Sequence, residues 1–366
     1  MCDAAQPLPT GGHQHPQQPR PPLTFTSPTR PILTSSNYLQ VQTHYARLLT
    51  EHYIWLFGGF ATKLAQNRTL LQRYLPKITP PPGDDEERPL AVDLGCGPGF
   101  QTIPLLHLHY TVLALDASPQ MLAELTSELP HQNLPSHHLT TAHDDLLLFP
   151  SYVPDATAAV IVCMGDTLSH LATLNEVRKV VADAHAALKP GGRLVLQFRD
   201  LTRPLRGTDR FVPVQSDSST IFTCFLEWEG ECDVDTGDAG YVEGDCTGKR
   251  TPQQEFNGLA AGNQKTNGNT TSINASPHHH QAHVESSAAR EIAPCGSGRR
   301  VKVHDLVYVR KGNGTWDMCK SWYHKLALSS EWVGNYMREV GFDVLAEDEG
   351  ESLGGMEVVV GVKVGS

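Results

Sequence analysis

The residues of this chain best suited to chemistry are two acids and three glycines: Asp93-Leu94-Gly95-Cys96-Gly97-Pro98-Gly99 and, further along, Asp116. Each acid ends a short apolar run, Ala91-Val92 before Asp93 and Thr111-Val112-Leu113-Ala114-Leu115 before Asp116. An apolar run, then glycines, then helix-like sequence predicts a parallel strand, a tight turn and a helix. Glycines in such a turn let the backbone approach a ligand where a Cβ would stand in the way. An acid at the tip of the following strand is where a ribose diol is usually held. Together these features predict a site for an adenosine-type cofactor. The spacing argues against a dinucleotide. G-x-G-x-G replaces G-x-G-x-x-G, and Asp93 beside the cradle repels a pyrophosphate while attracting a cation.

The elements that position these residues follow from the pattern on either side. Strands are predicted at about 90–94, 111–116, 138–143, 158–163 and 193–198, alternating with helices at about 100–108, from Pro119, and at about 170–188. Ser118 is placed to cap the second of these helices, with Pro119 at its first position. Leu171, Leu174, Val177, Val180, Val181, Ala184 and Leu188 recur at helical spacing in the third. Such alternation predicts a parallel sheet covered on both faces. A helix at 330–340 and a hairpin from Phe342–Leu345 and Met356–Val362 close the chain. Tyr45, Leu48, Leu49, Tyr53, Trp55 and Leu56 form an aromatic-rich helical stretch before the first strand, suited to pack on the sheet or cover the cofactor.

Between the fifth strand and the last helix, Ile221–Trp228, Val301–Val309 and Thr315–Leu326 read as three antiparallel strands. Residues about 231–298, rich in Gly, Asn, Thr, Ser and His, read as a disordered insertion between two of them. Residues 1–36, rich in Pro, Gln, Ser and Thr, read as a disordered tail, with an organellar transit segment as the alternative.

Composition narrows the function. Lys plus Arg number 29 against 40 for Asp plus Glu across 366 residues, a net charge of −11, which disfavours broad contact with a phosphate backbone. No DNA partner is expected, and no apolar run approaches the ~20 residues that span a bilayer. The eight cysteines are scattered without a C-x-x-C pair, which favours reduced thiols and a cytoplasmic location. His278, His279 and His280 lie in the insertion without Cys or Asp at ligand spacing, so no metal site is expected. Oligomeric state is open.

The segment Asp93–Gly99 closely resembles the first motif of class I S-adenosylmethionine-dependent methyltransferases, whose cofactor carries an ammonium and a sulfonium. The resemblance covers roughly residues 37–230 and 300–366. It implies an α/β fold, a Rossmann-like seven-stranded sheet with helices on both faces and its last strand antiparallel, plus a small antiparallel β lid at about 211–326. It also implies site roles. Gly95 and Gly97 approach the methionine moiety, with Cys96 between them, and Asp93 orients the ammonium. Asp116 accepts the ribose hydroxyls. Ala117 and Met121 flank the adenine. Asp144 or Asp145 accepts from the exocyclic amine, and Leu146 supplies a backbone donor. Met164 faces the methyl group at the end of the fourth strand.

The run Gly165-Asp166-Thr167-Leu168-Ser169-His170-Leu171 resembles the Gly-Asn-Ser-Phe-x-His-Leu of glycine/sarcosine-type N-methyltransferases, with Asp166 in place of Asn. The Asn/Asp-Pro-Pro-aromatic signature of nucleobase N-methylation is missing. A small polar acceptor, possibly an amine, is implied. Arg199, at the tip of the fifth strand, is suited to hold a substrate carboxylate, and Asp200 or His170 to accept the released proton. Tyr308, Trp322 and Tyr323 are candidates to line the acceptor pocket. The competing readings are a protein or RNA methyltransferase, a cofactor-binding regulator without turnover, and an oxidoreductase.

Overall fold

The computed structural model describes residues 37–44, 50–79, 83, 87–229, 298–345 and 355–365. The expected disordered segments at 1–36 and about 231–298, save residue 298 itself, and Tyr45, Leu48 and Leu49, lie outside the described residues.

The central sheet has seven strands: β1 (Leu90–Leu94), β2 (Thr111–Asp116), β3 (Leu139–His143), β4 (Ala158–Cys163), β5 (Leu188–Phe198), β10 (Phe342–Val344) and β11 (Glu357–Lys363). Their order is β10-β11-β5-β4-β1-β2-β3. β1 to β5 pair in parallel, whereas β11 runs antiparallel to both β5 and β10. β1 lies between β2 and β4, so successive connections leave it in opposite directions. A crevice opens at such a switch point, beyond the carboxyl ends of the strands.

Alternation along the strands divides the core into two layers. Leu94, Leu115, Ile161, Leu194 and Leu196 face Val177, Val180 and Val181 of α6 (Leu174–Ala187) and Val333 and Met337 of α7 (Ser330–Val340). Ala91, Val112, Ala114, Val160, Val162 and Val195 face α3 (Phe60–Tyr74), α4 (Thr102–His107) and α5 (Pro119–Glu128) through residues such as Leu71, Ile103 and Leu125. Helix starts are set by side-chain caps. Ser118 accepts from the Met121 N–H, Thr173 from Glu176 and Ser329 from Trp332. The Thr173 cap also explains a departure from the expected helix at 170–188. Residues 168–170 form a separate 3₁₀ turn, and α6 begins only at Leu174. Leu171 is thereby freed from the helix and turned toward the site.

A second sheet has four antiparallel strands, β6 (Phe211–Ser216), β7 (Thr220–Trp228), β8 (Arg300–Arg310) and β9 (Trp316–Leu326), in chain order. Three of them were expected; β6 was not, because Pro213 and a register shift between Pro213 and Gln215 break its pattern. Two short helices, α1 (Tyr38–His44) and α2 (Thr50–Leu56), precede α3. No helix among the described residues is long and apolar enough to cross a membrane.

Leu194 is fully buried in β5, between β4 and β11. Leu194→Ala is expected to lower unfolding free energy by about 2–5 kcal/mol in urea denaturation. A loss below about 1 kcal/mol would contradict the tight packing assigned to the layer facing α6 and α7.

Candidate active site

The tips of β1, β2 and β4 enclose a cleft of about 700 Å³. The turn after β1 is held in place by the β2 backbone, with the N–H groups of Gly95 and Cys96 both donating to the Leu115 carbonyl at 2.8 and 3.1 Å. Gly95 and Gly97 have φ of +70° and +54°, in the left-handed region that favours glycine. A Cβ on Gly95 would sit 2.2 Å from Thr167 Cγ2, so the β1 and β4 tips can approach only because that atom is missing. A Cβ on Gly97 would point toward Tyr53, 3.7 Å from its ring.

Asp116 is the hub of this cleft. Oδ2 accepts from the Gly97 N–H and Oδ1 from the Ser118 N–H, each at 2.8 Å. Burial pushes its pKa up, and these two hydrogen bonds pull it back. Asp144, Asp145 and Leu146 line the far side. Asp144 accepts from Tyr152 Oη at 2.7 Å, and Asp145 caps the turn at 146–151 by accepting from the Leu147 N–H at 2.9 Å. α1 contributes Tyr38 and Gln42, the latter donating to the Ala117 carbonyl at 2.9 Å. Burial, followed by the charges of Asp144, Asp145 and Asp116, raises the Tyr38 pKa. The electrostatic character is anionic and therefore selects a cation.

A second cavity of about 830 Å³ lies between the β4 and β5 tips and the inner face of the four-stranded sheet. The two cavities share Tyr53 and His170. The second is rich in buried charge. Asp166, at φ +75° in the turn after β4, takes an ion pair from Lys325 of β9. It also accepts from Ser169 Oγ at 2.9 Å and the Arg199 N–H at 3.1 Å. Burial raises the Asp166 pKa, but the Lys325 charge and hydrogen bond, together with Arg199, outweigh it and hold the carboxyl below its ordinary value. Arg199 makes no ion pair with a described carboxylate. On the opposite wall Asp305 of β8 is buried; it pairs with His44 Nε2 at 2.9 Å and accepts from Cys224 Sγ at 3.1 Å. His44 Nδ1 in turn meets Ser321 Oγ at 2.7 Å. Burial, then the Lys325 charge, pushes the His170 pKa down to about 3, so its imidazole is neutral at pH 7.

The structure thus brings Gly95, Gly97, Asp116, Ala117, Asp144, Asp145, Leu146 and His170 to the first cleft, and Asp166, His170 and Arg199 to the second. Other expected residues stand elsewhere. Asp93 does not line the cleft: its Oδ2 is taken by Thr102 Oγ1 at 2.6 Å. Cys96 and Met164 are buried in the layer facing α3 to α5. Met121 is fully buried, its N–H tied to Ser118. Asp200 lines neither cavity, because its carboxylate closes a local turn onto the Thr202 N–H at 2.8 Å. Asp166 is committed to Lys325 and so is not a free proton acceptor. Of the three strand aromatics, only Tyr323 reaches the cavity, and Trp322 faces solvent. Among the described residues no three His, Cys, Asp or Glu side chains gather as a metal site.

Asp305, Lys325 and His44 were not anticipated. A signal exists for Asp305, which occupies the inward register of β8 between Val303 and Val307. A carboxylate in an apolar register needs a buried partner. The Lys325 signal is the same, two residues after inward-facing Tyr323. Nothing local marks His44.

Residues 91–192 match the family model described as a methyltransferase domain. The sheet that carries these residues has the Rossmann-like order expected of class I S-adenosylmethionine-dependent methyltransferases. A glycine/sarcosine N-methyltransferase of Parasynechococcus marenigrum is 32% identical over 116 residues, which are 32% of this chain and 40% of that protein. The match thus spans about two fifths of that relative's length. In fold, the chain is similar to the CcbJ methyltransferase from Streptomyces caelestis, with TM-score 0.50, 13% identity, and 90% and 98% of the two chains covered. It is likewise similar to DesVI of Streptomyces venezuelae, with TM-score 0.50, 14% identity, and 87% and 98% covered.

The residues present fit this cofactor. Gly97 presents an open backbone to the cleft, and Asp116 retains lone pairs for a diol. Asp93 Oδ1 is buried without a protein hydrogen-bond partner behind the glycine turn. Burial, with repulsion from Asp116, pushes its pKa from 3.8 to about 7 despite the Thr102 hydrogen bond. A positive charge bound in front of such an acid stabilises its anion.

The pH dependence follows. Between about pH 4 and 7 the folded protein holds a proton on Asp93 that the unfolded chain has released. The stability of the cofactor-free protein therefore falls as pH rises through that window, and Asp116 adds in the same direction. Asp93→Asn is expected to flatten the Tm profile over this range and to weaken S-adenosylmethionine binding. A Tm profile parallel to wild type would contradict the raised pKa.

Proposed function

We propose that the protein transfers the methyl group of S-adenosylmethionine to a small polar amine held in the second cavity. The observation that carries this reading is a charged cavity that meets the cofactor cleft at Tyr53 and His170. The curated relative named above is a glycine/sarcosine N-methyltransferase.

When bound, S-adenosylmethionine supplies both the electrophilic methyl and the leaving group, so the protein's task is positioning and exclusion of water. Arg199 and the Asp166–Lys325 pair offer donors and a fixed field to orient a polar acceptor. His170, neutral at the junction, adds no charge to repel the sulfonium and accepts hydrogen bonds there. An amine attacks through its lone pair and must shed one proton for each methyl gained. The Asp305 carboxylate, paired with His44 Nε2 at 2.9 Å, is the buried base that faces this cavity, and the other ring nitrogen of His44 meets Ser321 Oγ.

The test uses labelled methyl donor with a panel of small amines that includes glycine and sarcosine. Label is expected in a small amine. Asp305→Asn is expected to lower kcat by about a hundredfold or more while leaving cofactor affinity unchanged. Label appearing only in protein or RNA would contradict the small-acceptor reading.

A further inference from the structure

The four-stranded sheet has two faces, and only the inner one has a role so far. Phe222, Leu226, Val303, Asp305, Tyr323 and Lys325 point inward, and their neighbours in sequence point out. The register defines the outer face. Phe211, Phe225, His304 and Trp322 are directly paired across all four strands. Ile221, Tyr308 and Met318 form a second row. Apart from His304 the row residues are hydrophobic, and four of them are open to solvent: Phe211 is 51% exposed, Met318 50%, Trp322 45% and Ile221 40%. Ring contacts order the first row, with Phe211 and Phe225 centroids 4.7 Å apart and Lys302 lying 4.5 Å over Trp322. Single exposed apolar residues are ordinary, but a contiguous, ordered apolar face marks an interaction site.

We propose that this outer face is the contact surface for a second copy of this chain, packed sheet against sheet about a two-fold axis. Three observations favour a like partner. First, charges around the rows are already matched within the chain: Glu227 pairs with His304, Glu229 with Arg300 and His324, and Asp317 with Lys311. The carboxylates of this face are thus used within the chain, and of the cations left, Lys302 and Arg210 are seated over the Trp322 and Phe225 rings, while Arg310 and Lys320 stand toward the strand ends and the outermost strand. An isologous contact needs only one self-complementary patch. Second, the extent is right. Four strands ~4.8 Å apart, averaging about nine residues at ~3.3 Å each, give a plane on the order of 600 Å². Side-chain relief brings this toward the ~800 Å² that each partner of a stable dimer contributes. Third, pairing through the edges is hindered, which leaves the face. Pro213 and a bulge interrupt edge strand β6, and α1 packs against edge strand β9.

The test is sedimentation velocity of the full chain over a micromolar concentration range, and it requires no methyl acceptor. Wild type is expected at twice the chain mass. The double variant Met318→Glu/Trp322→Glu is expected to sediment as a monomer, with self-association weakened at least about a hundredfold. Ile221→Lys, on a different strand, guards against a local folding defect and is expected to weaken association too. Lys311→Glu, outside the rows, is expected to leave the dimer intact. Circular dichroism and S-adenosylmethionine binding report whether each variant is folded. A wild type that is monomeric throughout the range overturns the proposal, whatever other partner the face accepts. A dimer that survives in the folded double variant and in Ile221→Lys also overturns it.

Discussion

The site depends on the buried pair between Asp166 and Lys325. Asp166 belongs to the turn after β4 in the central sheet, and Lys325 to the last strand of the antiparallel sheet. The pair therefore ties one sheet to the other, and the second cavity is the space between them. Removing two charges from water is expensive, and a buried pair is weak evidence for net stability. Losing one partner is a different matter, costing about 3–5 kcal/mol because the other charge is left stranded. Ser169 and the Arg199 N–H take further Asp166 lone pairs, so the carboxylate is satisfied on several sides. An acid held in this way is an anchor rather than a base. In the proposed reaction, proton transfer then falls to the opposite wall, where Asp305 and His44 stand.

The two cavities differ in electrostatic character, and the difference suits their occupants. The cofactor cleft gathers Asp116, Asp144 and Asp145, with Asp93 behind it, and attracts a sulfonium and an ammonium. The second cavity mixes Lys325 and Arg199 with Asp166 and Asp305, a lining that offers both donors and acceptors. Lys63, near Arg199, has its pKa lowered first by burial and then by that guanidinium. His170 stands at the boundary, and burial keeps it neutral. A charged imidazole there would oppose the cofactor's own charge.

Much of this was legible in the sequence, for a physical reason. The central sheet is built from local signals: apolar runs of strand length, Ser118 as a cap, and glycines where the turn requires left-handed backbone. The place of Asp116 in the cleft was legible because the second apolar run ends there, at a strand tip. What failed were statements about side-chain direction. Asp93 and Met121 were assigned to the cleft lining, but Thr102 holds the first behind the glycine turn and the α5 interior buries the second. Asp200 was assigned to the acceptor, yet its nearest donors are two residues away. β6 was hidden by Pro213. The acceptor wall was the least legible part, since His44, Asp305 and Lys325 come from three elements spread over 281 residues of numbering, from 44 to 325. Only the misplaced charge in an apolar register gave two of them away.

The central claim is that the acid-lined cleft at the β1 and β2 tips selects a sulfonium cofactor over a dinucleotide. Calorimetric titration of S-adenosylmethionine and NADH into the wild-type protein tests it most directly. The account predicts saturable one-to-one binding of S-adenosylmethionine in the micromolar range and no heat from NADH. Binding of NADH, or no binding of S-adenosylmethionine by a folded protein, would contradict it.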